Sequence, residues 1–83
     1  MLYLISYDLM APGKNYEPLW AELRKLGAIR ILESEWLVRR TNTTPKGLAD
    51  YILQFMDAND RIFVTEVPNN YAYRTLIADP KAA

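Results

Sequence analysis

The apolar positions of the chain alternate between runs with the period of a strand and runs with the period of a helix. Residues 2–7, Leu-Tyr-Leu-Ile-Ser-Tyr, are apolar at every position except Ser6, which predicts a central strand buried on both faces. That strand runs on to Asp8 and breaks at Pro12-Gly13. Tyr16, Leu19, Trp20, Leu23 and Leu26 then recur at spacings of three and four. They predict an amphipathic helix with Asn15 as N-cap, Pro18 in its first turn and Gly27 closing its C-terminus. "AIRIL" and "SEWLVR" follow as two short β-rich runs, a hairpin. Thr44-Pro45 starts a second helix, with Thr as N-cap and Pro at the first position, and Leu48, Ala49, Ile52, Phe55 and Met56 supply its apolar face. "ANDR" ends it. "RIFVTEV" is a fourth strand stopped by Pro68-Asn69-Asn70, and "YAYRTLI" could add a short fifth.

The order is β-α-β-β-α-β. It predicts an α+β, ferredoxin-like domain over residues 1–78, with both helices on one face of a four-stranded antiparallel sheet, and a disordered tail over 79–83. Alternation along the first strand puts Tyr3, Ile5, Tyr7 and Leu9 on one side and Leu2, Leu4, Ser6 and Asp8 on the other. The first set is the more apolar and is assigned to the helices, which leaves Ser6 and Asp8 on an uncovered face. An uncovered apolar face in so small a domain predicts a homodimer. Ser6, Trp36, Tyr71 and Tyr73 are its expected interface, and the 71–77 run is expected to extend the partner's sheet edge.

Composition narrows the chemistry. At 83 residues the chain holds one domain, burying only roughly 60% of its unfolded surface, yet it is 51% hydrophobic with six Tyr and two Trp. That also favours self-association. Ten Lys and Arg balance ten Asp and Glu, so a strongly positive overall field is excluded. There is no Cys and no His, which removes disulfides, thiolate or imidazole metal sites, and triads built on either residue. Any metal would be a hard cation such as Mg²⁺ or Mn²⁺ on carboxylate oxygen. No apolar run approaches the roughly 20 residues of a membrane span. No secretory leader is recognisable either, so the expected compartment is the cytoplasm.

Asp8 can be read in two ways. It either accepts hydrogen bonds from the loop amides of Met10 to Gly13 or faces its copy across a two-fold axis, where paired carboxylates would take up a divalent cation. Arg39 and Arg40, with Lys46 nearby in sequence, are the candidate phosphate contacts.

Four features resemble a known family. A first strand ending in Tyr7-Asp8, Gly27 closing the first helix, Ser34-Glu35-Trp36 in the third strand and Asp60-x-Ile-x-Val64 opening the last strand are similar to the small ferredoxin-like superfamily of the second CRISPR-associated core protein. That superfamily also holds the VapD and stand-alone SinR-like proteins. The SinR-like branch is closest, through "YLISYDL", the loop Pro12-Gly13-Lys14-x-Tyr16, and Asn59-Asp60-Arg61. The resemblance implies a homodimer and, in nuclease members, a strand-end Asp that binds divalent metal, the position of Asp8. The loop and first helix carry Lys14, Arg24 and Lys25, with Arg30 beyond, against Glu17 and Glu22. That is a thin grip on a nucleic-acid backbone. The expected function is therefore a non-catalytic or weakly active nucleic-acid-related adaptor in a defence or toxin-antitoxin setting, with RNA or DNA and a protein of that system as partners. The alternative is a Mg²⁺-dependent endonuclease with paired Asp8 as catalytic ligand.

Overall fold

The computed structural model describes residues 1–83 as β1 (Leu2–Asp8), α1 (Glu17–Lys25), β2 (Ile29–Leu32), β3 (Glu35–Arg39), α2 (Pro45–Leu53), β4 (Arg61–Glu66) and a terminal 3₁₀ turn, Pro80–Ala82. The sheet is antiparallel in the order β2-β3-β1-β4, with β1 and β3 central. This is the ferredoxin-like α+β architecture that the alternation predicts.

Local chemistry accounts for the helix ends. Gly27 adopts φ 88°, where a side chain would be strained. Its N–H bonds the Arg24 carbonyl at 3.0 Å while that of Ala28 bonds Leu23 at 3.0 Å, the paired bonds of a Schellman termination. The N-cap position of α1 is Tyr16 rather than Asn15. Asn15 still contributes, since its Oδ1 accepts the Glu17 N–H at 2.9 Å. Thr44 caps α2 as its sequence predicts, accepting from the Gly47 N–H at 3.0 Å. Phe55 and Met56 lie beyond the last turn of α2 yet pack on the core.

Tyr3, Ile5 and Tyr7 of β1 join Trp36 and Val38 of β3, Leu19 and Leu23 of α1, and Leu48 and Ile52 of α2 in one core beneath the helices. A second, smaller cluster forms on the other face from Leu2, Ile31 and Leu37.

The C-terminal segment covers that second cluster. Leu76, Val67 and Ala83 pack against it, Pro80 is buried, and the Ile77 N–H bonds the Ile31 carbonyl at 2.9 Å. Residues 71–77 form no strand. Thr75, at φ 50°, turns the chain out of the extended conformation that pairing requires. Residues 80–82 make a 3₁₀ turn capped by Asp79, whose Oδ1 accepts the Lys81 N–H at 2.9 Å.

Candidate functional site

Side-chain parity separates Tyr7 from Asp8. Tyr7 points under the helices, where its hydroxyl accepts both indole N–H groups, from Trp20 at 3.1 Å and from Trp36 at 2.9 Å. The Arg30 guanidinium lies over the same two rings, 5.1 Å and 5.5 Å from their centroids. Tyr7 thus builds the core and offers nothing to a ligand. Trp36 is buried with it, only 2% exposed. This corrects its expected place at a dimer interface, because its β3 position opposite Ile5 puts it on the helix side.

Asp8 lies on the open face. It stands directly opposite Arg61 in the β1–β4 register, and its carboxylate is 4.0 Å from the guanidinium. The expected hydrogen bond from the following loop goes elsewhere. The Met10 N–H donates to Asp60 Oδ1 at 2.7 Å, the Tyr16 hydroxyl to the same oxygen at 2.8 Å, and the Asp57 N–H to Oδ2 at 2.7 Å. Burial alone would raise the Asp60 pKa, but these three donors and the Lys14 charge outweigh it and hold the carboxyl below its ordinary 3.8. Burial and the Asp60 carboxylate together raise the Tyr16 phenol above 10.0. Asp60 is therefore the clamp on the β1–α1 loop, and Asp8 is left exposed.

The residues of one protomer do not make a metal site. No group of three or more carboxylate ligands converges anywhere in the chain. Beside Asp8 stands a competing cation, Arg61. The neighbouring Ser6 hydroxyl is turned away to donate to Glu35 Oε1 at 3.2 Å. Two copies would bring two such carboxylates, each already facing a guanidinium, and Mg²⁺ is held through one or two carboxylates with water completing its shell.

The three basic candidates are not brought together. Arg39, opposite Leu2 at the far end of the open face, shares a polar hollow of about 270 Å³ with Arg40 and Thr41. Arg40 also donates to the Leu26 carbonyl at 3.3 Å, at the C-terminus of α1. Lys46 is on the solvent side of α2, 2.7 Å from Asp50. That contact raises its pKa above 10.5.

Tyr71 and Tyr73 are exposed on the C-terminal segment with ring centroids 6.2 Å apart. Sequence reasoning missed Phe63, which is 66% exposed on the open face opposite Ser6. Pairing Asp8 with the first residue of the last strand would have found both it and Arg61. Phe63, Asp8 and Arg61 border one shallow hollow of about 140 Å³.

The fold and this surface define a ferredoxin-like domain with one helix-covered and one partly open sheet face. No protein-family model matches the chain, and no solved structure matches it. No helix is long and apolar enough to cross a membrane.

Proposed function

We propose that the chain is a dimeric, non-catalytic adaptor of the kind found in the CRISPR-associated, VapD and SinR-like superfamily, serving a defence or toxin-antitoxin system. The carrying observation is Phe63, 66% exposed opposite Ser6 and next along the open face to the oppositely charged pair Asp8 and Arg61. A two-fold axis through this patch stacks the two Phe63 rings and sets Asp8 of each copy against Arg61 of the other, the self-complementarity an isologous interface needs. Arg39, at the opposite end of the face, and Arg40, which shares its hollow at the sheet end, supply the phosphate contacts.

Sedimentation tests this directly. Wild type at micromolar concentration should run at twice 9.6 kDa, Phe63→Glu and Asp8→Arg should run as monomers, and Asp8→Arg mixed with Arg61→Asp should dimerise again. A monomeric wild type would sink the proposal.

The endonuclease reading keeps one supporting observation, an exposed strand-end carboxylate on the face that would dimerise. Labelled RNA and DNA incubated with Mg²⁺, Mn²⁺ or chelator should remain intact with wild type and Asp8→Asn alike. Cation-dependent cleavage by wild type that Asp8→Asn abolishes would replace the adaptor reading with the enzymatic one.

A further inference from the structure

The C-terminal segment leaves a gap as it crosses the sheet. A cleft of about 380 Å³ opens between them, floored by Leu4, Ile31 and Leu37 and roofed by Tyr71, Tyr73 and Leu76. Its volume lies at the small end of the roughly 300–1,000 Å³ of small-molecule sites, and such sites combine an apolar lining with a few placed polar groups. Here the lining holds one acid and one base, Glu35 and Arg74. Neither is neutralised by an ion pair, since the four ion pairs of the chain involve other residues. Glu35 is held in place by the Ser6 hydroxyl on Oε1 alone, which leaves Oε2 free to accept.

We propose that this cleft binds a small apolar zwitterion, an amino acid with a large hydrocarbon or aromatic side chain. The ammonium meets Glu35, the carboxylate meets Arg74 as a charge-assisted pair, and the side chain fills the apolar floor. A purely apolar ligand leaves both charges unused. A simple acid uses only Arg74, and a simple amine only Glu35. The site lies beside the Phe63 patch and does not require a dimer.

Isothermal titration of the full chain with L-phenylalanine, N-acetyl-L-phenylalanine and L-phenylalaninamide tests each charge in turn. The free amino acid should bind at least about tenfold more tightly than either blocked form. Arg74→Gln should weaken the free amino acid about tenfold and leave the amide unchanged, while Glu35→Gln should leave the N-acetyl form unchanged. Both side chains are at least partly exposed, so the variants should fold, which circular dichroism checks. Equal affinities for the three probes, absence of saturable binding, or variants that keep the wild-type ranking would overturn the proposal. Binding that disappears as protein concentration rises would overturn it too, because the cleft would then belong to a second copy.

Discussion

Replacing Asp60 by Asn removes one charge and one acceptor from a carboxylate that closes a contact fifty residues long in sequence. The carboxylate accepts from Met10 N–H at 2.7 Å, Asp57 N–H at 2.7 Å and Tyr16 hydroxyl at 2.8 Å. Asn can serve the two donors on Oδ1, but its amide nitrogen then confronts the Asp57 N–H. A hydrogen bond to a charged group contributes about 1.5–3 kcal/mol, and the site is only partly buried, so the lower end applies and the loss is about 2 kcal/mol. For a domain of this size 1 kcal/mol moves Tm by about 4–8 °C, so Tm should fall by about 8–16 °C at pH 7. The pH dependence has a definite sign. The folded-state pKa of Asp60 is depressed below 3.8, so its stabilisation is present in full above the unfolded-state pKa and is lost as pH falls through the folded-state value. The gap between wild type and Asp60→Asn should therefore narrow when thermal unfolding, followed by circular dichroism, is repeated near pH 3. A drop of less than about 2 °C at pH 7, or a gap that stays constant down to pH 3, would refute the clamp.

Tyr7→Phe strands the buried Trp36 indole N–H, so unfolding in denaturant should show a loss of about 1–3 kcal/mol with altered tryptophan emission; unchanged stability would mean that the indole finds another partner. Deleting residues 70–83 uncovers Leu2, Ile31 and Leu37 and should destabilise the protomer itself by at least about 2 kcal/mol, visible as a lower denaturant midpoint even at concentrations where no dimer forms. Asp8→Asn should leave the midpoint within about 0.5 kcal/mol, because the Asp8–Arg61 pair is exposed and 4.0 Å long; a larger loss would show that the pair holds the sheet together.

The parts of this fold legible in the sequence are those fixed by nearby residues. Thr44-Pro45 and Gly27 mark helix ends because their effects act within one turn, and the Tyr3, Ile5, Tyr7 series reveals the helix side because three large side chains alternate with smaller or polar ones. The same logic applied to β3 would have placed Trp36 beside Val38, but the Ser-x-aromatic motif drew attention to what precedes the ring rather than to its parity. The 71–77 run shows why period two is insufficient. Tyr71, Tyr73, Thr75 and Ile77 alternate correctly, yet a strand needs a free edge to pair with, and here the segment crosses the sheet with the Ile77 N–H as its one bond to β2. The roles of Asp8 and Asp60 could not be told apart locally, since the amide that chooses between them is that of Met10, fifty residues from Asp60.

The two faces of the sheet divide the molecule's tasks. Under the helices every buried polar side-chain atom has a partner, and the Tyr7 hydroxyl and its two indoles leave no group there to react or bind. The groups with unused capacity, Asp8, Glu35, Arg39, Arg61, Phe63 and Arg74, lie on or over the opposite face. The cause is a parity rule. In β1 residues 3, 5 and 7 commit to folding, while 6 and 8 emerge on the other side because successive strand side chains point to opposite faces. A one-residue slip in β1 would exchange those roles, exposing Tyr7 and burying Asp8 without a partner, at a cost that no small core could offset. The helix-side packing that fixes the register of β1 therefore also fixes where the open face presents its charges. The Tyr7-Asp8 pair acts as one unit for that reason: the first residue anchors the strand, and the anchored strand aims the second.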